Sequence, residues 1–371
     1  MSWPPTPLYN LDRSSLRSLL KGWGEPSYRA DQVWQWLYVH MVDGFDQMTN
    51  LPTPLRARLA QETTIDVLEV VDTACSPDGR TRKDLLGLRD GETIEAVLMH
   101  YERRRTACLS TQVGCKMGCP FCATGQMGFR RDLSSGEIVA QALHFARQLQ
   151  TEGERLTNVV LMGMGEPLAN YDASLDAIRR LSDPEGFRLG QRHITLSTVG
   201  LVPQIRRLAK EGLQITLAVS LHAATDDLRD QLVPVNRRYG LDTLFRACAA
   251  YSERTGRRVS FEWALIEGVN DMPEQAHALA DRVHSSWSRS DRPTLAHVNL
   301  IPLNPSAGYR GGRSTDEAVA AFASTLDQRG VPHTVRVRRG AAIQAGCGQL
   351  RQPVREALPQ AQDGAQGGRA R

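Results

Sequence analysis

Three cysteines stand close together in the segment GCKMGCPFCATGQMGF, residues 114–129: Cys115, Cys119 and Cys122. A closed structural zinc site needs four donors, and a catalytic zinc site needs three donors and a water molecule. No second cysteine pair follows at zinc-ribbon spacing, and the next histidine, His144, falls within a predicted helix. A four-iron cube held by only three thiolates leaves one iron open to another molecule. The spacing therefore favours an iron–sulfur centre, with zinc as the alternative.

The spacing C-x3-C-x2-C directly after a predicted strand resembles the signature of the radical S-adenosylmethionine (SAM) enzymes. This resemblance implies a [4Fe–4S] cluster whose open iron is chelated by the amino and carboxylate groups of SAM. Two further cysteines have suggestive positions. Cys347 stands between glycines beyond the last predicted strand, which favours a mobile, exposed backbone, and Cys108 stands on the strand before the cluster, where a core role is the alternative. Cys75 and Cys248 are predicted to be structural.

Strand-like and helical patterns alternate from about residue 106 onward. Apolar, β-branched runs occupy residues 106–112, 157–162, 193–198, 214–221, 259–266, 295–301 and 333–337. Helical periodicity follows at residues 136–150, 172–182, 201–212, 241–256, 273–287 and 316–329, and Ser134 with Glu137 forms a predicted capping box. Six strand–helix units in series predict a parallel sheet with right-handed crossovers, either an α/β barrel or a doubly wound sheet.

Polar or glycine-rich residues follow each of the first six predicted strands. Chemistry in α/β barrels gathers at the carboxyl ends of the strands. The cysteine cluster follows the first strand; the later strand ends carry Gly163, Gly165, Glu166, Ser197, Ser220, His222, Glu267, Gly268, Asn270 and Asn304. Each residue alone is a weak signal, but six signatures on one rim predict a site there.

Composition places the chain among soluble globular proteins, with 41% hydrophobic and 23% charged residues. The sequence shows neither a secretory signal nor a run of about 18 apolar residues that could span a membrane, so we expect a cytoplasmic protein. In a reducing compartment, its seven cysteines indicate metal binding or catalysis rather than a disulfide framework. Arginines cluster at residues 103–105, 130–131 and at 336, 338 and 339. The clusters are compatible with a solvated surface, but together they favour a polyanionic substrate.

Over residues 27–351 the chain resembles the RlmN/Cfr family of radical SAM RNA adenine methyltransferases. The matching segments are FDQMTNLP, ETIEAVLM, CLSTQVGCKMGCPFCATGQMGF, LMGMGEPLANYD, ITLSTVGLVPQI, LAVSLHAATDDLRDQLVPVN, LIPLNP and GCGQL. The resemblance implies an α/β fold, a partial (βα)6 radical SAM barrel with a small N-terminal helical accessory domain and a β-rich connector. We expect residues 1–92 to form the RNA-binding helical domain and connector, 93–351 the core barrel with a C-terminal catalytic cysteine loop, and 352–371 a disordered tail.

The resemblance also implies a role for individual residues. One SAM would methylate Cys347; a second, cleaved at the cluster, would activate that methyl group for addition to an adenine carbon. Cys108 would then form a disulfide with Cys347, and Glu95 would act as general base. Since Cys347 belongs to a terminal loop, we expect it to move. The implied SAM-binding residues are Gly165, Glu166, Ser197, Ser220, Leu221, His222 and Asn304.

The implied activity is methylation of adenine C2 in 23S rRNA, at the peptidyl-transferase centre, and at the adenosine 3′ of the anticodon in some tRNAs. The alternative within the family is C8 methylation of the same rRNA adenosine. An alternative of another class is a non-catalytic iron–sulfur or zinc RNA-binding protein, which leaves the rim residues and Cys347 unexplained. As partners we expect RNA and a reducing electron donor such as flavodoxin, with no membrane, and we expect a monomer.

Overall fold

The computed structural model describes residues 5–287, 295–304, 306, 308–336 and 340–350. Strands β1 to β14 are Thr6–Pro7, Thr63–Thr64, Leu68–Cys75, Thr81–Leu88, Thr93–His100, Arg105–Cys108, Gln112–Gly114, Phe129–Asp132, Asn158–Leu161, Ile194–Thr198, Thr216–Ser220, Val259–Leu265, Ala296–Pro302 and His333–Val335. Helices α1 to α11 are Arg13–Gly22, Tyr28–Gln35, Thr53–Glu62, Ala123–Gln126, Ser135–Thr151, Tyr171–Leu181, Val202–Leu208, Asp226–Leu232, Leu241–Thr255, Pro273–Trp287 and Asp316–Gln328.

Ten strands form one continuous sheet in the order β14-β13-β12-β11-β10-β9-β6-β5-β4-β3. Neighbours from β6 to β14 are parallel and helices alternate with these strands along the chain, which confirms the predicted α/β architecture. Strands β3, β4 and β5 continue the sheet in antiparallel fashion beyond β6. The β-rich connector is therefore a wing of the barrel sheet, with Gly79 and Gly91 at positive φ in its predicted turns.

The run predicted as one strand over residues 106–112 is divided in the structure. Strand β6 ends at Cys108, and β7 pairs instead with β8 in a separate two-stranded ribbon that frames the cysteine loop. The physical reason lies in the backbone hydrogen bonds, because the N–H groups of Thr111 and Gln112 both donate to the carbonyl of Met164. The chain thus leaves the barrel sheet before the cysteine loop begins.

Helix α5 joins the N-terminal helices to the barrel. Its predicted capping box is confirmed: the Ser134 hydroxyl accepts from the Glu137 N–H at 3.2 Å, and the Glu137 carboxylate accepts from the Ser134 N–H at 2.8 Å. Further along the helix, the Arg147 guanidinium donates to the Tyr9 hydroxyl at 2.8 Å and to the Met41 carbonyl at 2.6 Å. These bonds fix the N-terminal helices against the barrel.

The wing presents different residues on its two faces. Asp84, fully buried on β4, contacts His144 of α5 at 2.7 Å and the Arg82 side chain at 2.8 Å. Lys83 points to the opposite face, because side chains alternate along a strand. Its ammonium donates to the backbone of Gln344 near the chain's end, so this face of the wing lies toward the Cys347 loop.

Some sequence expectations fall outside the described residues, namely those for the tail 352–371 and for Arg338 and Arg339. Within the described part of the chain, none of the helices is long and apolar enough to cross a membrane.

Candidate active site

One cavity at the carboxyl ends of the barrel strands brings together most of the predicted site residues. Its wall includes ten of the thirteen: Cys115, Cys119, Cys122, Gly165, Glu166, Ser197, Ser220, His222, Asn304 and Cys347. Glu95, Cys108 and Leu221 are not part of this wall. The cavity gathers residues from the first to the sixth barrel strand, as expected for a rim site in an α/β barrel.

The three clustered cysteines lie on a loop closed by backbone contacts. The Cys115 N–H donates to the Gly128 carbonyl at 2.8 Å, and a side chain on Gly114 would collide with that same carbonyl. Burial raises the pKa of Cys115 to about 12 and also raises the pKa of Cys119, so these thiols are neutral until a metal takes up their sulfurs.

The donor set fits an iron–sulfur cluster better than a zinc ion. All three thiols line one cavity, yet in the described ranges no three His, Cys, Asp or Glu side chains are arranged to hold a metal ion. Three thiols that line one cavity match the protein ligands of a four-iron cluster, whereas a closed tetrahedral zinc site needs a fourth donor. Cys115, Cys119 and Cys122 are therefore the residues that would hold a cluster.

Gly165 and Glu166 form the part of the wall after β9. Gly165 has φ +102°, and a Cβ there would stand 2.6 Å from the Gln112 side chain, so only glycine fits. The Glu166 carboxylate accepts from the N–H groups of Leu168 at 3.0 Å and Val199 at 2.8 Å. Burial outweighs these bonds and raises the pKa of Glu166 to about 7. A cationic group in the cavity would find a carboxylate poised to pair with it.

His222 is held in a left-handed backbone conformation, with φ +61°. Its Nδ1 accepts from the Ala264 N–H at 2.9 Å, and its carbonyl accepts from the Asn270 side chain at 2.8 Å. Burial lowers the pKa of His222 to about 3, so the ring is neutral and carries its proton on Nε2. Asn270, one of the predicted rim residues, thus holds the backbone of His222 in place.

The remaining predicted SAM-binding residues have distinct surroundings. The Ser197 hydroxyl donates to the Leu161 carbonyl at 2.6 Å, and the Asn304 side chain donates to the Cys347 carbonyl at 3.4 Å. Leu221 is fully buried, and its backbone N–H donates to the Glu262 carbonyl at 3.0 Å. A contact between Leu221 and SAM stays a prediction.

The loop that carries Cys347 is docked against the cysteine cluster loop. The Gly348 carbonyl accepts from the Ala123 N–H at 2.8 Å, and the Leu350 carbonyl accepts from the Thr124 hydroxyl at 2.6 Å. Cys347 itself keeps solvent exposure. Close packing explains Gly346, since a Cβ there would stand 2.5 Å from Asn304, whereas Gly348 has φ +80°, a conformation that favours glycine. Movement of the loop stays a prediction.

Cys108 lies on strand β6, within electrostatic range of Cys347. Burial, with a smaller contribution from the Cys347 thiol, raises the pKa of Cys108 to about 12. The guanidinium of Arg336 opposes this effect at both sulfurs. Arg336 also lies 3.4 Å from a carboxylate oxygen of Glu262, a buried residue in the cavity wall. The structure therefore places two thiols, one cation and one carboxylate together.

Glu95 lies on β5, the strand next to that of Cys108. Val97 is directly opposite Cys108 in the β5–β6 register, so Glu95, two residues before Val97, points to the same face as Cys108. Glu95 is buried, and its carboxylate is 2.7 Å from the ammonium of Lys83. The predicted base and the predicted resolving cysteine thus share one face of the sheet.

Several residues of the site carry no local sequence signal. Lys83, Glu262 and Gln112 belong to ordinary strand patterns, and their roles depend on partners far along the chain. Arg229, in the amphipathic helix α8, is fully buried and donates to the Leu221, Val199 and Asn236 oxygens at 2.7–3.0 Å. The sequence does not show that Arg229 is buried, so only the structure reveals that its guanidinium joins these three segments.

The arginine clusters divide into two kinds. Arg105 pairs with Glu154, and Arg131 contacts Asp90 at 2.5 Å and Glu137 at 2.9 Å, so both have structural partners. Among the cluster residues that the structure describes, the exposed ones are Arg103, Arg104 and Arg130. Their side chains are open to contact with a polyanion.

Comparison with known proteins places this architecture among RNA-modifying enzymes. Residues 6–65 match the ribosomal RNA large subunit methyltransferase N-terminal domain, and residues 109–280 match the radical SAM superfamily. The dual-specificity RNA methyltransferase RlmN 1 of Myxococcus xanthus is 51% identical over 95% of this chain and 97% of its own length. A crystal structure of a radical SAM methyltransferase from Sphaerobacter thermophilus superposes with a TM-score of 0.89, at 48% identity, covering 94% of this chain and 99% of that one.

Proposed function

Because the chain belongs to the RlmN family of dual-specificity RNA methyltransferases, which are radical SAM enzymes, we propose that it methylates C2 of adenosine in two kinds of RNA. The targets are an adenosine in the peptidyl-transferase centre of 23S rRNA and the adenosine 3′ of the anticodon in some tRNAs. The dual specificity named for the Myxococcus relative supports two RNA substrates.

The observation that carries the proposal is the position of Cys347. A cysteine more than 220 residues away from the cluster loop lines the same cavity as Cys115, Cys119 and Cys122, and its loop is hydrogen-bonded to the residue after Cys122. A methyl carrier must be a nucleophile that stands beside the cofactor and can then reach the substrate, and the thiol of Cys347 meets these requirements.

Enzymes of this family use a [4Fe–4S] cluster and SAM, with two SAM molecules per turnover. When bound, these groups supply an electrophilic methyl group and, after one-electron reduction, an abstractor of hydrogen atoms. Cys115, Cys119 and Cys122 would hold the cluster. The Glu166 carboxylate would hold the ammonium group of SAM, and Gly165 leaves room for it.

The low reactivity of adenine C2 explains why a methyl carrier such as Cys347 would be needed. The C–H bond of C2 is neither acidic nor nucleophilic, so direct displacement of a methyl group onto C2 meets a high barrier. A thiolate accepts a methyl group readily, because sulfur is a strong nucleophile once deprotonated. Cys347 would therefore take the methyl group first. Loss of one hydrogen atom from that S-methyl group, to the abstractor that SAM supplies, would leave on Cys347 the carbon-centred radical that adds to C2.

Release of the product would use Glu95 and Cys108. The ring adduct would give up one electron, for which the oxidised cluster is the available acceptor, and Glu95 would accept the proton from C2. The Cys108 thiolate then bonds to the Cys347 sulfur, and the sulfur–carbon bond breaks with its electron pair on the carbon, which gains a proton to become the methyl group. Arg336 would support this step because its charge favours the thiolate form of Cys108, and it would favour the Cys347 thiolate in the earlier methyl transfer.

From membership of the same family we also propose the cellular location, the oligomeric state and the electron donor of the enzyme. The chain would act in the cytoplasm as a monomer without a membrane, reduced by a small electron-transfer protein of the flavodoxin type. RNA phosphates would be contacted by exposed arginines such as Arg103, Arg104 and Arg130, which position the substrate without reading its sequence.

The test is to locate the methyl group. Anaerobically reconstituted enzyme, SAM with a deuterated methyl group and reductant are incubated with an rRNA fragment and with tRNA, and the digested nucleosides are analysed by mass spectrometry. We expect 2-methyladenosine from both RNAs, and no product from Cys347→Ala. Detection of 8-methyladenosine would replace C2 by the C8 assignment, and absence of methylated RNA would overturn the proposed function.

A further inference from the structure

Lys83 contacts both the proposed general base, Glu95, and the loop that leads to Cys347. Its ammonium nitrogen is 2.7 Å from a carboxylate oxygen of Glu95 and 3.4 Å from the backbone carbonyl of Gln344, three residues before Cys347. The side chains of Lys83 and Glu95 are only 14% and 7% exposed, so water screens this ion pair weakly. The pair is thus part of the interior rather than a surface contact.

The strand register fixes the direction in which Lys83 points. Lys83 is paired with Val97 across β4 and β5, and Val97 is paired with Cys108 across β5 and β6. Directly opposed residues in a sheet point to the same face. Lys83 and Cys108 therefore stand in one row across three strands, and Glu95 stands one position along on that same face.

The loop before Cys347 packs against this row. A Cβ on Gly340 would stand 2.9 Å from the Thr81 side chain of β4, and the Gln344 carbonyl takes the second contact of the Lys83 ammonium. The ammonium is therefore held from two sides, by the sheet through Glu95 and by the loop through Gln344. Its position sets where the Glu95 carboxylate stands relative to the loop.

We propose that Lys83 is a positioning residue that acts through Glu95: it holds the carboxylate ionised and aimed at the target base beside the Cys347 loop. The inference rests on the proposed function, because it concerns the step in which Glu95 takes the ring proton. An ammonium group favours the ionised form of a carboxylate in contact with it, and only that form accepts a proton. Methylation of Cys347 needs no base of this kind and is left intact by loss of Lys83.

The experiment combines Lys83→Met, Lys83→Arg, Glu95→Gln and the double variant Lys83→Met/Glu95→Gln, with Lys210→Met, at an exposed lysine, as the matched control. Each reconstituted protein is assayed for S-methylated Cys347 by peptide mass spectrometry and for single-turnover RNA methylation. We expect Lys83→Met to retain S-methylation within about twofold and to lose at least about tenfold in RNA methylation, as general-base contributions of this size are typical. Lys83→Arg should recover most of the rate, and Lys210→Met should match the parent protein.

The double variant separates positioning from a general structural role. In the Glu95→Gln background, Lys83→Met should change the RNA methylation rate by less than about twofold, because residues that act as a unit are not additive. An equally large loss in that background, or full activity of Lys83→Met alone, would overturn the inference. If Lys83→Met does not fold, Lys83→Arg and the double variant, which lacks the Glu95 carboxylate, decide the matter by the same criteria. Absence of RNA methylation in the parent protein would instead count against the proposed function.

Discussion

The backbone carbonyl of Gly348 accepts a hydrogen bond of 2.8 Å from the N–H of Ala123, the residue that follows Cys122. This bond ties the loop of the proposed methyl carrier to the loop of the proposed cluster ligands. Because it is made by the backbone, it holds whatever the side chains of the two residues are. It holds Cys347 near the loop of Cys115, Cys119 and Cys122.

Displacing the Cys347 loop should slow its methylation. In Gly346→Ala, the added Cβ would stand 2.5 Å from the Asn304 side chain and 2.8 Å from the Gln349 side chain. Either the loop or these two side chains, which hydrogen-bond to its backbone, must then shift. We expect S-methylation of Cys347, followed by peptide mass spectrometry, to fall by about tenfold or more, because small displacements from a reactive geometry are costly. Gly22→Ala is the matched control, since a Cβ there meets no atom within 4 Å. Unchanged S-methylation in Gly346→Ala would contradict the docked geometry.

SAM binding should weaken as the pH falls through 7. The pKa of Glu166 is raised to about 7 by burial, so the carboxylate is ionised above that pH and neutral below it. Only the ionised form attracts the ammonium group of SAM. We therefore expect the affinity, measured by calorimetry on the reconstituted enzyme, to fall by up to about tenfold between pH 8 and pH 6. Glu166→Gln should bind weakly with little pH dependence, whereas a flat profile in the parent protein would argue against a role for Glu166.

Removing Cys108 should stop the reaction late rather than early. In Cys108→Ala we expect Cys347 to be methylated normally, while the RNA stays covalently attached to it, because no second thiol can attack the Cys347 sulfur. A denaturing gel would show the protein–RNA adduct, and peptide mass spectrometry would locate it. Cys75→Ala, at an exposed cysteine on the wing, is the control and should turn over freely. Free methylated RNA at the normal rate from Cys108→Ala would refute this role.

Two adjacent arginines should behave in opposite ways. Arg130 is exposed on β8 beside the cysteine loop, whereas Arg131 pairs with Asp90 and Glu137. Arg130→Gln should weaken RNA binding and reduce the slope of log affinity against log salt by about one, with an unchanged melting temperature. Arg131→Gln should lower the melting temperature and leave the salt slope unchanged. The same response from both variants would show that exposure does not identify the RNA contacts.

The sequence predicts the barrel well because local patterns and global fold agree. The helices α5, α6, α9, α10 and α11 begin and end within about one residue of the predicted bounds, and each barrel strand overlaps its predicted run. Apolar periodicity sets these elements, and their order alone implies parallel pairing. The division of the 106–112 run was missed, since it depends on a carbonyl, that of Met164, more than 50 residues away.

The sequence could not predict which buried side chains would contact one another. Arg131 belongs to a basic cluster in the sequence, and only the fold shows that Glu137 and Asp90 occupy its guanidinium. Lys83 and Glu95 are twelve residues apart on two strands with ordinary alternation, and their contact depends on the wing turning back at Gly91. Contacts between side chains that are distant in the sequence are not predicted by the local spacing of residues.

The position of Cys347 beyond the last barrel strand has a consequence for biosynthesis. A ribosome completes every strand from β6 to β14 before it reaches the thiol that would carry the methyl group. A growing chain can therefore form the barrel and the loop of Cys115, Cys119 and Cys122 before Cys347 is made. At that stage it also lacks the loop that hydrogen-bonds to the residue after Cys122. If Cys347 is the methyl carrier, a chain that stops before this residue has the barrel but no carrier, and it would be harmless to the RNA around it.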